Sequence, residues 1–141
     1  MIAMSVSMML LLGVMGLAFD LGRIYIAKNE AQVFTDAAAL TAALKIDGTA
    51  AGFAAARDAV QKLPMRWDLG TTEFKGVVVE FSKEGVKWDR DPKDASTAAY
   101  ARVSAPENNV EITLLRAFGA APYLTVPAHS VAGTNPVRLI E

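Results

Sequence analysis

The chain has 141 residues, of which 52% are hydrophobic, with a formal net charge of −1 and no cysteine. A chain of this length builds one modest domain, and its near-neutral charge argues against a nucleic-acid-binding surface, which would be basic. The lack of cysteine excludes disulfide bonds, zinc–thiolate sites and thiol catalysis, although it does not fix the redox compartment.

The first nineteen residues, Met1 to Phe19, carry no charge. As a helix they span roughly 28 Å, close to the ~30 Å hydrocarbon thickness of a bilayer. No proline interrupts the helix-forming composition before about Ile46, so we predict one long helix over residues 1–46, with residues 1–19 as its transmembrane segment. The alternative is a secretory signal cleaved near Ala18, but such a signal has a basic n-region and a shorter apolar stretch.

Beyond Asp20 the apolar residues of this helix are confined to one side. They recur at spacings of seven, four and three, as Ile26, Val33, Ala37, Leu40 and Leu44. Such a stripe requires a partner surface, and we expect the rest of the chain to cover it.

Within residues 1–19, small and flexible side chains suit packing between helices. Glycine allows close approach, and methionine fills irregular gaps. Glycine is also common in membrane helices generally, which is the alternative explanation. The residues that we expect to pack against copies of the chain are Met4, Met8, Leu11, Gly13, Met15, Gly16 and Phe19.

Asp20 and Arg23 lie one helical turn apart, directly where the uncharged segment ends. One interpretation is an ion pair, within or between subunits, that sets the register of the helix, because an unpaired buried charge is costly. The other is a solvated pair at the lipid headgroups, which contributes little stability.

A second helix is predicted over residues 50–63. Gly48 ends the first helix, Thr49 caps the second, and Pro64 stops it. Its apolar face comprises Phe53, Ala56, Val60 and Leu63.

Strands are predicted for most of the remaining chain. After a connector over residues 65–72, the strand-forming residues are Phe74, Val77, Val79 and Phe81. Gly85 fits the left-handed position of a three-residue hairpin loop that leads to a return strand over residues 86–88. A polar loop over residues 89–96 precedes an alternating strand over residues 98–105.

The C-terminal third is less clear from its pattern. Residues 110–118 fit either a strand or a helix that Gly119 closes, and a final strand is predicted over residues 123–132, before a tail over residues 133–141. The sum is an α+β fold, in which residues 47–141 form a domain with a short helix and three or four mostly antiparallel strands, packed on the second half of the long helix.

No pattern of residues predicts catalysis, a cofactor site or a metal site. Asp89, Asp91 and Asp94 alternate as calcium ligands can, but the glycine and distal glutamate of an EF-hand loop are missing, so a solvated loop is the simpler interpretation. His129 is the sole histidine, and no glycine elbow surrounds Ser130. We therefore expect that the protein is not an enzyme.

The stretch LAFDLGRIYIAKNEAQVFTDAAALTAA resembles the N-terminal region of the TadE/TadG-like proteins of the tight-adherence (Flp) pilus system. The shared pattern is an apolar helix, an acidic residue, Gly-Arg, an aromatic residue and a run ending in Asp-Ala-Ala-Ala-Leu. In this sequence these residues are Asp20, Gly22, Arg23, Tyr25, Asp36, Ala37, Ala38, Ala39 and Leu40. A weaker resemblance covers residues 112–133.

The resemblance implies a pilin-like structural subunit. Such a protein is anchored in the bacterial inner membrane with a periplasmic domain, and then polymerises through its N-terminal helix into an extracellular filament that serves cell adhesion. Its partners would be copies of itself, the inner membrane and other pilus-assembly proteins, but no nucleic acid. Many pilins carry a glutamate five residues into the mature chain, where this sequence has Ser5, and Met1 is either the native start or a residue left after leader removal.

Two alternatives follow. The chain could be a minor pseudopilin or a membrane-anchored accessory protein of pilus assembly that never forms a filament alone. From a different class, it could be a membrane-tethered periplasmic binding domain, which would need a concave site with convergent polar groups.

Overall fold

The computed structural model describes residues 1–64 and 74–134, and their fold is α+β, as predicted. The predicted connector over residues 65–72 and residues 135–141 of the predicted tail lie outside the described residues. The helices are α1 (Ile2–Ala43) and α2 (Ala50–Gln61); the strands are β1 (Val78–Ser82), β2 (Tyr100–Ala105), β3 (Asn109–Glu111), β4 (Tyr123–Thr125) and β5 (Ala128–Gly133); and two 3-10 turns cover Ala95–Thr97 and Leu115–Phe118.

Helix α1 has 42 residues, so it is about 63 Å long. By length and composition it can cross a membrane, and its most apolar stretch is almost uncovered by the rest of the chain. It ends three residues before the predicted position, because the N–H groups of Lys45 and Ile46 bond to the carbonyls of Ala42 and Ala43 in tighter turns.

Strands β1, β2 and β5 form an antiparallel sheet with β2 in the centre, and β3 pairs with β4 in a separate two-stranded sheet. In β2, Ala101 and Val103 are buried and Arg102 lies on the other face, as the alternation predicts. That outer face is polar: Arg102 bonds to Glu80 at 2.7 and 3.0 Å, and its guanidinium lies 4.6 Å from the centre of the Trp88 ring.

The core lies between α1, α2 and the three-stranded sheet. On α1 it consists mainly of alanine, which lets the sheet approach the helix closely, and the buried alanines are Ala27, Ala31, Ala38, Ala39, Ala42 and Ala43. Aromatic side chains fill the remaining space. Phe53 of α2 stacks on Phe81 of β1 with ring centres 4.2 Å apart, and Phe34 of α1 stacks on Phe74 at 4.5 Å.

The expectation that the domain covers the larger apolar residues of α1 is wrong. Val33, Leu40 and Leu44 are 68%, 57% and 72% exposed, and Ile26 and Ala37 are exposed too. Bulky side chains would hold the sheet away from the helix, whereas the alanine face allows close contact. The larger residues therefore form a stripe on the opposite face that the described part of the domain leaves exposed.

The Thr49 cap agrees with the prediction, but Gly48 does not end the first helix: α1 ends at Ala43 with Leu44 as its C-cap, and Gly48, with φ of +81°, lies in the turn just before Thr49. Thr49 caps α2 and accepts a hydrogen bond from the N–H of Gly52 at 3.1 Å. Asp47 accepts hydrogen bonds from the hydroxyl of Thr49 at 2.7 Å and from its N–H at 2.9 Å. The Thr49 hydroxyl, followed by its N–H, holds the pKa of the Asp47 carboxyl below its usual value. Phe53, Ala56 and Val60 form the buried face of α2, as predicted, whereas the helix ends at Gln61, so Leu63 lies beyond it and is only partly buried against the core.

The predicted return strand over residues 86–88 is wrong. Gly85 has the expected left-handed conformation, with φ of +75°, but β1 pairs with β2, and only Asp89 forms a bridge to Phe81. The ring of Trp88 lies against Arg102 on the outer face of the sheet instead. The first strand also begins at Val78, later than predicted.

The C-terminal third has more breaks than predicted. The expected strand over residues 123–132 is divided into β4 and β5, since Pro127 lies between them and has no N–H to donate to a sheet. The ambiguous residues 110–118 form part of β3 and the second 3-10 turn. Gly119 closes that turn in the left-handed conformation, with φ of +88°.

We expect Gly52→Ala to destabilise the protein, although alanine ordinarily stabilises a helix by about 1 kcal/mol relative to glycine. A Cβ at this position would lie 2.1 Å from Asp47 Oδ1 and 2.8 Å from the backbone oxygen of Lys45. Overpacking of this kind costs about 1–3 kcal/mol. Denaturation of the detergent-solubilised chain, followed by circular dichroism, measures the change.

Ala54→Gly is the matched control, since Ala54 is exposed on the same helix. It should cost about 1 kcal/mol through helix propensity alone. A stabilised Gly52→Ala variant would contradict the close contact with Lys45.

Candidate functional site

The candidate site lies where the uncharged part of α1 meets the domain. It consists of residues 13–23 of α1 and the segment over residues 113–118, which follows β3 and includes the second 3-10 turn. We call residues 113–118 the docking segment.

Asp20 is the centre of this contact. It is only 1% exposed, and its carboxylate accepts three backbone hydrogen bonds, from Thr113 and Leu114 at 3.0 Å and from Leu115 at 2.7 Å. Hydrogen bonds to a charged acceptor are stronger than neutral ones. Asp20 thus caps the 3-10 turn from another element and holds the docking segment on α1.

Arg23 binds the same segment, because its guanidinium donates a hydrogen bond to the hydroxyl of Thr113. The direct Asp20–Arg23 ion pair considered from the sequence does not occur among the described ion pairs. Instead, both side chains bind residues far along the chain, and they fix the position of α1 relative to its own domain.

The two glycines of the uncharged segment also face the docking segment. A Cβ on Gly16 would lie 3.2 Å from the Cβ of Leu114, and one on Gly13 would lie 4.0 Å from Cζ of Phe118. Small size at Gly16 therefore has a role within the chain. The other residues expected to pack against copies are exposed: Met4, Met8, Leu11, Met15 and Phe19.

A second polar contact joins α1 to the sheet farther along the helix. Ser130 of β5 donates to the carboxylate of Asp36, and its hydroxyl lies 2.9 Å from both Gln32 Nε2 and Thr35 Oγ1. Asp36 begins the Asp-Ala-Ala-Ala-Leu run, in which the second and third alanines are buried and Ala37 and Leu40 are exposed. Asp36 therefore helps to hold β5 against the helix.

Sequence reasoning missed the partners of these helix residues. Asp20 had a visible signal, since it is an acidic residue at the edge of an apolar helix, but nothing in the sequence indicated that backbone N–H groups about ninety residues away would bind it. Ser130 also had a signal, because it is a polar residue at a buried position of an alternating strand.

The aspartates of the polar loop over residues 89–96 make contacts within the domain. Asp91 pairs with Arg57 at 2.6 Å, and Asp94 accepts a hydrogen bond from the N–H of Ser96 at the first 3-10 turn. Among residues 1–64 and 74–134, no group of three or more His, Cys, Asp or Glu side chains is placed to hold a metal ion.

We expect Asp20→Asn to release the docking segment, since the amide keeps only one acceptor oxygen and places an NH2 donor against the remaining backbone N–H groups, and the charge that strengthens all three bonds is lost. Trypsin cleavage after Arg116, which is exposed, should accelerate about tenfold or more, the ratio that corresponds to losing a hydrogen bond to a charged group. Asp94→Asn is the control, because it alters a cap on the other 3-10 turn. Equal cleavage rates in the two variants would show that Asp20 does not hold the segment.

Comparison with known families supports the resemblance seen in the sequence. Residues 1–45 match the model of the Flp pilus-assembly TadE/G-like family. No curated protein and no solved structure matches the chain. The match covers α1 and the two residues that follow it, so the resemblance of residues 112–133 stays a prediction. A pilus-assembly family and an apolar N-terminal helix fit a pilus-related, membrane-anchored protein.

Proposed function

We propose that this chain is a pilin-like structural subunit, anchored in the bacterial inner membrane by residues 1–19, that polymerises through α1 into an extracellular filament. Its domain would face the periplasm before assembly and the outside of the filament afterwards. The observation that carries the proposal is an apolar stripe that runs along nearly the whole of α1 on the face opposite the domain.

The stripe combines the two sets of residues singled out in the sequence. Its members recur every three or four residues or at seven, which keeps them on one side of a helix. They are exposed in the single chain, and they are Met4, Met8, Leu11, Met15, Phe19, Ile26, Val33, Ala37, Leu40 and Leu44.

Lipid can cover only part of this stripe. Met4 to Phe19 fit within a bilayer, whereas Val33 lies about 21 Å farther along the helix axis than Phe19 and Leu44 about 38 Å. Exposed apolar patches of this extent typically mark interaction sites. Because Val33, Leu40 and Leu44 continue the stripe of the membrane segment, a second α1 that packs along the whole helix would cover both parts.

Gly22 favours the same arrangement. It lies on the striped face between Phe19 and Ile26, and a Cβ there would meet no atom of the described residues within 4 Å. A glycine with free space above it leaves room for another backbone to come close. Gly16, by contrast, is covered by Leu114.

Assembly would then exchange one apolar environment for another. Before assembly, lipid surrounds residues 1–19; in the filament, neighbouring copies of α1 replace the lipid and also cover the outer part of the stripe. The second part of this exchange removes apolar surface from water and so favours association.

Val33→Glu should prevent assembly, because a carboxylate would be buried in the apolar contact between helices. The amount of filament in sheared surface fractions, measured by electron microscopy and sedimentation, should fall about tenfold or more. Lys28→Glu is the control, since Lys28 is exposed and lies about 140° around the helix from Val33. Normal filaments from Val33→Glu would contradict packing along this stripe.

Val33 is preferred to Gly13 as the position to substitute, because Gly13 faces Phe118 of the same chain and a larger side chain there would also disturb the docking segment.

The accessory role is the second candidate, and it is favoured by the docking segment, which already occupies one side of residues 13–20. Filaments composed of this chain alone support the subunit role. A chain that stays in the membrane fraction while filaments form from another protein supports the accessory role.

A further inference from the structure

The docking segment extends along α1 towards the N-terminus, past the point where charges end. Three residues of α1 mark its path. Asp20 accepts hydrogen bonds from the segment, Gly16 lies beside Leu114, and Gly13 lies beside the ring of Phe118. From Asp20 to Gly13 is seven residues, or about 10 Å along the helix axis. Phe118 therefore lies beside residues that belong to the membrane-length segment.

A bilayer that contains residues 1–19 therefore also reaches the docking segment. Gly13, beside which Phe118 lies, is six residues, or about 9 Å, inside the end of the proposed membrane segment at Phe19. If α1 spans the membrane, the tip of the docking segment must enter the leaflet nearest the domain.

The chemistry of the tip fits that environment. Leu114 and Phe118 are 43% and 50% exposed, and the stretch LLRAFGAA over residues 114–121 has one charged residue, Arg116. A long arginine side chain can keep its charged end at the headgroups while its stem lies in an apolar layer.

Much of the backbone of this stretch has its N–H groups bonded within the protein. The N–H groups of residues 113, 114 and 115 bond to Asp20, and those of Ala117, Gly119 and Ala120 bond to carbonyls of residues 114, 116 and 115. Irregular backbone enters lipid only when its polar groups are satisfied within the protein.

We propose that residues 114–121 form a second membrane-inserting element, an apolar lobe that Asp20 holds against α1 and that lies in the lipid of the domain-side leaflet. The inference rests on the proposed membrane anchoring of residues 1–19. It adds that the domain lies directly on the bilayer surface, with its orientation fixed by two contacts with lipid.

Site-directed spin labelling tests the proposal, because the chain has no cysteine and each introduced thiol is the only one. Full-length Phe118→Cys, Met8→Cys and Val86→Cys variants are labelled with a nitroxide and placed in vesicles of phosphatidylethanolamine and phosphatidylglycerol. Val86 is exposed in a loop on another part of the domain. The measurement is the accessibility of each label to lipid-soluble oxygen and to a water-soluble nickel complex.

We expect the labels at positions 8 and 118 to shift towards oxygen and the label at 86 to favour the nickel complex. A label at 118 that behaves like the one at 86, while position 8 is in lipid, overturns the lobe and leaves the anchor intact. If position 8 is also in water, both proposals fail. Protection at 118 that disappears on dilution with lipid would mean that a second copy covers it, which also overturns the proposal.

Discussion

The close fit between the sheet and the alanine face of α1 is the constraint on which the rest of the structure depends. A helix about 63 Å long cannot be covered on all sides by a domain of this size, so the domain covers only one face of it. Alanine on that face brings β2 and β5 near the helix axis, and Ser130 meets Asp36, Thr35 and Gln32 as a result. The larger apolar side chains then lie on the opposite face.

This division gives the helix two roles at once. Its alanine face and Asp20 make contacts within the chain, while the face with Val33 and Leu40 is exposed and is the one proposed to meet other copies. The proposed filament subunit would need such a division, because the same helix would keep its domain in place while it changes neighbours. The family match over residues 1–45 falls on this helix.

The sequence predicted the features that depend on local chemistry. The uncharged length of α1, the Thr49 cap and the alternation in β2 follow from side-chain type and spacing, and all are present. It did not predict which face of α1 the domain covers, since the hydrophobicity pattern favoured the larger residues and the decisive factor was how closely the sheet can approach. The predicted pairing of the first strand was also wrong, because β1 pairs with a strand about twenty residues away rather than with the nearer residues 86–88.

For a related reason, the sequence indicated the helix residues of the site but not the residues that bind them. Asp20 and Arg23 were identified as a pair, but their partners belong to the docking segment, and a contact across about ninety residues leaves no periodic signal. Gly16 was identified as a packing residue without any indication that its neighbour is Leu114 of the same chain. Long-range contacts to the backbone are the least visible class, since any residue except proline carries the N–H that they require.

Recognition of backbone N–H groups rather than side chains has a consequence for sequence variation. Asp20 recognises main-chain groups of residues 113–115, so the identities of Leu114 and Leu115 are not constrained by the carboxylate. Related chains could carry other side chains at these positions, suited to a different lipid or a different neighbour, while the docking segment keeps its place on the helix. An attachment through the main chain thus allows the chemistry of this surface to change while the fold stays the same.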